Sequence, residues 1–313
     1  MKVGVLVSDP NVRAVLDQIQ AAEEAGLDSV WMTSGPTTPD PLAIFAAAAA
    51  ITERIGFGTA IVHTFPRHPV SMAATALVIE SLAPGRLRLG VGPSAAMVIE
   101  PTFGISAAKP QQHLREYLAV LRSLLWDGRV DFRGDRITAK AQIPAPTGIR
   151  VMASALRANA FRLCGEVADG AISWVCPLEY LRDVARPAMD AGATAAGRTP
   201  STLVGHVPVV VSDDPVAARD AFRKGLGFFA RISNYQNMLA DAGFPEVRDS
   251  GAWSDAAIDA LIVHGPEGSV EARLKGLGAY GIDEAMVSIF LPEGSPAGAH
   301  ARTLAMLGRV ARG

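Results

Sequence analysis

The sequence is poor in charge, in aromatic residues and in cysteine. Charged residues make up 19% of its 313 residues and aromatic residues 6%, while hydrophobic residues make up 49%. A charged fraction below the roughly 25% usual in soluble chains predicts extensive burial, which excludes disordered and collagen-like architectures. Only Cys164 and Cys176 are present, too few for a disulfide framework or a Cys/His metal set. We therefore expect a protein of the reducing cytoplasm.

Two further absences exclude classes of partner. Lys and Arg number 29 against 31 Asp and Glu, a net charge of −2, and no basic cluster is present to neutralise nucleic-acid phosphates. The longest apolar run, residues 42–51, is about half of what a membrane-spanning helix needs, and residues 3–7 are too few for the core of a signal peptide. We expect neither a nucleic-acid partner nor a membrane partner.

The chain alternates between short β-branched segments and longer segments with helical spacing of apolar residues. Residues 3–7 stop at a Ser-Asp-Pro turn as a buried parallel strand does, and residues 12–25 then carry apolar side chains three and four apart. The same pattern predicts eight strands, over residues 3–7, 29–32, 56–62, 86–91, 149–154, 170–175, 203–211 and 284–290. It predicts a hairpin over 127–137 and helices over 12–25, 41–52, 70–82, 111–126, 155–165, 178–196, 215–229, 267–280 and 296–312.

Eight strands, each followed by a helix, predict a (β/α)8 TIM barrel. No composition shift or flexible linker divides the chain, so we expect one domain over residues 1–313 with insertions near 93–110 and 232–263. The second insertion reads as mostly helical material without a strand. A doubly wound open sheet is the alternative, because one sequence does not reveal strand order.

In a barrel, the chemistry belongs at the carboxyl ends of the strands. These positions carry no pair of acids of the kind that glycoside hydrolysis requires, and no metal triad. Small and hydroxyl side chains dominate, which suits a site where a cofactor carries the reaction. The strand ends hold Ser8, Asp9, Ser34, Gly35, His63, Thr64, Pro93, Ser94, Ser154, Ala155, Trp174, Val175, Cys176, Ser212, Asp213 and Glu293.

Several of these residues have two interpretations. His63 is a candidate proton donor or ring-stacking group, or a histidine satisfied by a neighbouring carbonyl. His63 and His68 are five residues apart, a spacing that does not suit a metal pair on one helix. Trp174 either forms the wall of a pocket or caps the barrel, and Cys176 is a candidate thiolate without an obvious base.

The segment after the fourth strand matches two weak motifs. Gly90-Val91-Gly92-Pro93-Ser94-Ala95 has the spacing of a dinucleotide fingerprint, but a proline replaces the start of the expected helix. The segment from Gly92 to Ala96 also reads as a degraded nucleophile elbow, which leaves a serine hydrolase as an alternative.

The turn after the fifth strand is a candidate anion site. Small residues at Ser154 and Ala155 come where a helix is predicted to begin, so backbone amides and the serine hydroxyl could hold a phosphate, and Arg157 would add positive charge. The alternative is that Ser154 only caps the helix.

The ordered set of segments resembles the luciferase-like flavin and deazaflavin oxidoreductases, especially the subgroup that uses coenzyme F420. The resemblance spans nearly the whole chain and no single motif in it is highly specific. It rests on Ala22-Glu23-Glu24-Ala25-Gly26-Leu27-Asp28-Ser29-Val30-Trp31, residues 51–62 with Arg67-His68-Pro69, residues 85–92, Arg115-Glu116-Tyr117-Leu118, residues 165–170 and His264-Gly265-Pro266-Glu267.

The resemblance implies a bacterial-luciferase-like barrel whose third strand has a non-prolyl cis peptide bond, here Ala60–Ile61, behind the cofactor ring. It implies His63 as the catalytic residue beside that ring, and a phosphate-binding turn at Ser154 and Ala155. The implied cofactor-binding set is Ser34, Ala60, Ile61, His63, Gly92, Pro93, Ser154, Ala155, Trp174 and Val175. It also implies a homodimer.

The chain departs from the family pattern at two strand ends. Thr33-Ser34-Gly35 stands where many members have an acid and a histidine, and Ser94-Ala95 where the sugar-phosphate dehydrogenases have Gly-Glu. These departures favour hydride transfer between F420 and an unsaturated or imine-like substrate over sugar-phosphate oxidation. The alternatives are an FMN-dependent monooxygenase supplied by a partner reductase, and a non-catalytic flavin-binding barrel.

Overall fold

The computed structural model describes residues 1–313 and contains a closed parallel barrel with helices around it. Its strands are β1 (Lys2–Leu6), β2 (Ser29–Met32), β3 (Gly56–Thr59), β4 (Val62–His63), β5 (Leu87–Gly92), β6 (Arg129–Arg133), β7 (Thr138–Gln142), β8 (Arg150–Ser154), β9 (Gly170–Ile172), β10 (Thr202–Val211), β11 (Val263–Gly265) and β12 (Glu284–Ile289). Because β10 pairs with both β9 and β12, the order β12-β1-β2-β3-β5-β8-β9-β10 closes on itself. The predicted (β/α)8 barrel is confirmed.

The helices follow the strands in the alternating order that the sequence predicts. They are α1 (Val12–Ala25), α2 (Pro41–Ala49), α3 (Pro69–Leu82), α4 (Ala96–Phe103), α5 (Pro110–Trp126), α6 (Ala158–Val167), α7 (Leu178–Tyr180), α8 (Arg186–Ala195), α9 (Pro215–Leu226), α10 (Ser233–Asp241), α11 (Pro245–Ser250), α12 (Asp255–Asp259), α13 (Glu267–Lys275) and α14 (Ala299–Arg312). A π-helical turn over Leu181–Ala185 joins α7 to α8. None of these helices is both long and apolar enough to span a membrane.

The structure corrects five local predictions. The predicted third strand breaks into β3 and β4, and β11 is a short additional strand beside the end of β10, in a region predicted to lack strands. The hairpin consists of β6 and β7, so its second strand lies beyond the predicted limit. The segment 93–110 contains α4, whose internal Pro101 hides the helical pattern. The helix after β8 begins at Ala158 rather than at Ala155.

The amino end of the barrel is closed by a buried polar cluster. Glu284 forms an ion pair with Arg88 and accepts hydrogen bonds from Ser29 Oγ and from Trp31 Nε1 at 2.9 Å. Both Glu284 and Trp31 are fully buried. Burial lowers the pKa of Arg88 to about 10, which leaves it charged and able to pair with Glu284. This cluster ties β2, β5 and β12 together below the site.

Above this cluster the barrel interior is apolar. Trp31 packs with Ala60, Met152, Ile172, Val204 and Met286, and these six residues come from six different strands or strand junctions. Side chains on a strand alternate between faces, so residues 284, 286 and 288 of β12 all point into the barrel. Position 288 therefore lies at the carboxyl end of the interior, where a barrel site is expected.

Candidate active site

The carboxyl ends of β4, β5 and β8 bring three predicted site residues together. His63 pairs with Gly92 in the parallel register, and the Thr64 N–H donates to Gly92 O at 3.0 Å. A Cβ placed on Gly92 would clash with Ser154 Oγ and would lie 3.0 Å from Ile61 Cγ1. Gly92 therefore lets Ile61 and Ser154 approach the strand more closely than any residue with a side chain would allow.

The peptide bond between Ala60 and Ile61 is cis, at the position that the family resemblance predicts. It lies between β3 and β4, where the strand breaks and resumes against β5. The Ala60 N–H donates to Met32 O at 2.8 Å, and Ala60 packs in the barrel interior. After this junction, β4 runs beside the carboxyl end of β5.

His63 is a buried histidine beside Gly92, with 8% of its surface exposed. Burial lowers its pKa, and no charged or hydrogen-bonding neighbour acts against that effect. The imidazole is therefore neutral at pH 7. The loop after His63 is held in place by His113 of α5. The Nε2 atom of His113 hydrogen-bonds to Thr64 Oγ1 at 3.1 Å, and its ring stacks on Phe65.

His68 does not join His63 in a metal site. Its Nδ1 accepts a hydrogen bond from Val70 N at 3.3 Å and so caps α3, while its Nε2 lies 3.2 Å from Thr138 O. No group of three or more His, Cys, Asp or Glu side chains is arranged to hold a metal ion.

The glycines of β5 serve strand packing. A Cβ on Gly90 would clash with the carbonyl oxygen of Thr59, next to the cis bond. Beyond Gly92, Pro93 and Ser94 separate the strand from α4, so no helix N-terminus follows the second glycine. The dinucleotide fingerprint is therefore absent.

Ser94 has a left-handed backbone, with φ of 61°, as a nucleophile elbow does. A serine nucleophile also needs a hydrogen-bonded base. Of the histidines with side-chain hydrogen bonds, His113 contacts Thr64 and His206 contacts Ser288, and none contacts Ser94. The geometry does not support the serine hydrolase alternative.

Ser154 ends β8, four residues before α6, so it is not the cap of that helix. The Ala155 N–H donates to Ile172 O at 3.0 Å, and Arg157 pairs with Asp241 of α10 at 2.9 Å. The amides of Ala158 and Asn159 at the start of α6 have no acceptor within the helix, whereas the Ala160 N–H donates to Arg157 O at 2.8 Å. Ser154 and these amides remain the candidate anion site, with less positive charge than the sequence suggested.

Trp174 and Val175 follow β9, the strand next to β8 in the barrel. The Trp174 indole stacks on the imidazole of His206, with ring centroids 3.8 Å apart and an angle of 8° between the planes. His206 and its partner Ser288 were missed by the sequence analysis. The signal for His206 was present, because it is a polar residue at an inward position of an otherwise apolar strand.

The other strand-end residues have weaker roles. Ser34 is half-buried on the loop after β2. Cys176 is buried, and burial raises the pKa of its thiol well above the usual range, so it is not a catalytic thiolate. Outside the barrel, a surface cleft of about 420 Å³ lies between α5 and α6, but its two arginines are already paired with Glu166 at 2.7 and 3.2 Å.

Burial of His206 predicts a pH-dependent stability. Burial lowers its pKa from 6.5 to about 3, so below pH 6.5 the unfolded chain binds a proton that the folded chain does not. Stability is therefore full above pH 6.5 and falls as the pH drops toward 3. Between pH 7.5 and pH 5.0 we expect wild-type protein to lose about 2 kcal/mol more unfolding free energy than His206→Phe in urea titrations. Equal losses would contradict the burial of a neutral histidine.

The chain can now be compared with known proteins. The family model of the luciferase-like monooxygenases matches residues 1–284. The chain belongs to the luciferase-like monooxygenase family. It is therefore an enzyme of the oxidoreductase class, and the family confirms the resemblance found in the sequence.

Three relatives show the range of this family. An uncharacterised protein of Mycobacterium tuberculosis is 29% identical over 316 residues, covering 91% of this chain and 92% of the relative. An F420-dependent glucose-6-phosphate dehydrogenase of Beutenbergia cavernae is 31% identical over 230 residues, 66% of either chain. A 5,10-methylenetetrahydromethanopterin reductase of Methanolobus tindarius is 25% identical over 312 residues, covering 93% of this chain and 92% of the relative.

Two solved structures share the fold of this luciferase-like protein. An F420-dependent secondary alcohol dehydrogenase in complex with an F420-acetone adduct superposes with a TM-score of 0.80 at 20% identity, over 99% of this chain and 97% of the other. The oxygenating constituent of 3,6-diketocamphane monooxygenase of Pseudomonas putida, in complex with FMN, has a TM-score of 0.71 at 18% identity, over 99% and 97%. At these identities the comparison concerns the fold alone.

Proposed function

We propose that this protein is an F420-dependent oxidoreductase that transfers a hydride between the deazaflavin and a small unsaturated or imine-like substrate. The observation that carries the proposal is the convergence of His63, Gly92 and Ser154 at a barrel mouth without a paired acid and base. A site of this kind suits a cofactor that brings its own reactivity. The relatives named for F420 support the choice of cofactor.

The residues present fit a planar ring with a phosphate-bearing chain. Gly92 places no side chain between Ile61 and Ser154, and Ser154 with the amides of Ala158 and Asn159 offers hydrogen-bond donors for a phosphate. After the neighbouring strand β9, Trp174 and Val175 supply an aromatic wall and a backbone turn. Bound there, F420 would supply a carbon centre that donates or accepts a hydride.

The protein's own side chains would then orient the reactants and deliver one proton. His63 is neutral at pH 7, so its ring N–H would donate a hydrogen bond at the ring edge and pass a proton in from water rather than act as a permanent acid. The apolar interior formed by Ala60, Ile172 and Met286 would exclude water from beneath the ring. Ser34 and Pro93 would border the ring from the loops after β2 and β5.

The substrate class is proposed from what the site lacks. The ends of β2 and β5 carry Thr33-Ser34-Gly35 and Ser94-Ala95, so these two strand ends offer neither a carboxylate nor a histidine to deprotonate an alcohol. Reduction of a polarised double bond requires only a hydride and a proton from water. The relationship to a methylenetetrahydromethanopterin reductase supports an imine-like substrate.

Hydride transfer tests this proposal directly. Reduced F420 is mixed with the protein and a panel of enones and cyclic imines under anaerobic conditions, and reappearance of the oxidised cofactor is followed by its absorbance. We expect turnover with at least one class that needs both protein and acceptor. The FMN alternative, which the fold of the FMN-bound monooxygenase keeps open, predicts instead oxygen consumption with reduced FMN. Ligand binding without turnover across the panel would favour the non-catalytic barrel.

We also propose a homodimer formed through the outer faces of α2 and α3. The outer faces of both helices carry almost no charge, since α2 contains no charged residue and α3 contains Glu80 alone, with Ser71 and Ser81 as its exposed hydroxyl residues. An exposed apolar patch on such a surface marks an interaction site. The exposed apolar side chains there are Ala43, Ala47, Ala50, Ile51, Ala74, Val78 and Leu82, and Val78, Leu82 and Ile51 are each close to half exposed.

Charges on this face are expected to separate the dimer. Light scattering should give wild-type protein twice the 32.8 kDa chain mass and the double variant Val78→Glu/Leu82→Glu a single chain mass. Val216→Glu on α9, another exposed apolar position at 59% exposure, is the matched control and should stay dimeric. A monomeric wild type, or a dimeric double variant, would contradict this interface. No nucleic-acid partner and a cytoplasmic location remain proposals from composition alone.

A further inference from the structure

A buried hydrogen-bonded chain crosses the floor of the barrel mouth, from Val175 through His206 to Ser288. The Val175 N–H donates to His206 Nδ1 at 3.3 Å, and His206 Nε2 lies 2.7 Å from Ser288 Oγ. His206 is 1% exposed and Ser288 is 6% exposed. These groups come from three adjacent strands, β9, β10 and β12, and lie above the apolar interior.

The contacts determine which nitrogen of His206 carries the proton. Because Nδ1 accepts from a backbone N–H, it has no hydrogen of its own, so the proton of the neutral ring is on Nε2 and is donated to Ser288 Oγ. Burial that lowers the pKa of His206 to about 3 keeps the ring in this neutral form. This polarity is opposite to that of a serine nucleophile, whose histidine must accept the hydroxyl proton.

The Ser288 hydroxyl is consequently a donor with no partner inside the protein. Its oxygen accepts from His206, so its own proton must point elsewhere, and no protein atom accepts it. Its side chain shares the inward face of β12 with Glu284 and Met286, at the carboxyl end of that face. The proton therefore points into the barrel mouth.

His206 also fixes the corner after β9. Val175 is fully buried with φ of 51°, a conformation that β-branched residues rarely adopt and that requires support from its surroundings. The His206 ring provides that support twice, by accepting from the Val175 N–H and by stacking on Trp174. Strained residues of this kind cluster at ligand sites.

We propose that His206 is a positioning residue that holds the Trp174–Val175 corner and orients the Ser288 hydroxyl as a hydrogen-bond donor to an acceptor atom on the bound deazaflavin ring. The proposal rests on the proposed function, since it assigns the ligand of Ser288 to the same cofactor. It adds one ligand-binding residue, Ser288, and one residue, His206, that acts only through its neighbours.

The first test needs no ligand. Two-dimensional ¹⁵N NMR of the histidine rings, with the His206 signals identified by their loss in His206→Phe, reports which ring nitrogen is protonated. We expect a proton on Nε2 and none on Nδ1. A proton on Nδ1 would overturn the proposal, because Ser288 would then donate to His206 and have nothing left for a ligand.

The second test is a double-mutant cycle on F420 affinity. Ser288→Ala and His206→Phe are each expected to weaken F420 binding about 5- to 10-fold. The double variant is expected to bind F420 no more weakly than the single variant with the larger loss, because both changes remove the same hydrogen bond. His206→Gln, which can still donate to Ser288, should recover part of the loss. Ser173→Ala is the matched control, since Ser173 Oγ donates to Val204 O on the buried side of β9.

The outcomes separate this inference from the proposed function. Unchanged affinity in Ser288→Ala, or fully multiplicative effects of the two changes, would overturn the assignment of Ser288 while leaving F420 binding intact. Wild-type protein that does not bind F420 would overturn the proposed function and the ligand of Ser288 together. The NMR measurement would still decide the polarity of the His206–Ser288 pair.

Discussion

Ser154→Asp is expected to weaken F420 binding at least 100-fold. The change places a carboxylate at the end of β8, where the proposed cofactor phosphate would lie. Two unit charges about 4 Å apart repel by roughly 4 kcal/mol near a protein surface, and screening by water at this half-buried position reduces that figure. A remaining penalty of about 2.7 kcal/mol corresponds to a 100-fold loss, which fluorescence titration measures readily.

Ser154→Asn is the matched control for this prediction. Asparagine has nearly the size of aspartate without its charge, so the difference between the two variants isolates the electrostatic effect. We expect Ser154→Asn to weaken F420 binding about 10-fold, because the hydroxyl is lost and because the larger side chain crowds Gly92. Equal affinities of the two variants would show that no anion lies beside Ser154 and would reject the phosphate placement.

Glu284→Ala is expected to reduce the unfolding free energy by about 3 to 5 kcal/mol, because it leaves Arg88 charged and unpaired inside the barrel. Trp31 Nε1 and Ser29 Oγ lose the same acceptor. Urea denaturation monitored by tryptophan fluorescence measures the change. The loss is expected in stability, with ligand affinity of the remaining folded protein little changed, because the cluster lies at the amino end of the barrel.

Two further variants sharpen this test. Replacing the pair together, as Arg88→Met/Glu284→Gln, removes the isolated charge and should recover most of the stability that Glu284→Ala loses. Asp131→Ala breaks the exposed Lys140–Asp131 pair, whose members are 82% and 64% exposed, and should leave the melting temperature unchanged. A double variant less stable than Glu284→Ala would show that the ion pair is not the source of the effect.

The sequence predicted the architecture because buried parallel strands and amphipathic helices leave periodic patterns. It missed β11, whose three residues include a histidine and a glycine, and it missed α4, which contains Pro101. It extended the third strand through residue 62, because the pattern Gly56–Val62 is continuously strand-like and nothing in it marks the break at Ala60–Ile61. That break was predicted from the family resemblance alone.

The candidate site was predicted in part. His63, Gly92 and Ser154 stand out because small or polar residues follow apolar strands, and the structure brings the ends of their strands together. His206 and Ser288 were not predicted, since they are 82 residues apart and meet only because β10 and β12 are neighbours in the closed barrel. The order of the strands in the barrel is a property of the whole fold, so the local sequence patterns of β10 and β12 do not reveal that the two strands are neighbours.

Parallel titration of the wild-type protein with oxidised F420 and with FMN tests the central claim most directly. Each cofactor's fluorescence is followed as protein is added, and Ser154→Asp is titrated beside it as the site-specific control. We predict saturable F420 binding with one molecule per chain, FMN binding at least ten times weaker, and loss of F420 binding in the variant. Saturable FMN binding without F420 binding would contradict the account and establish the protein as a flavin-dependent member of its family.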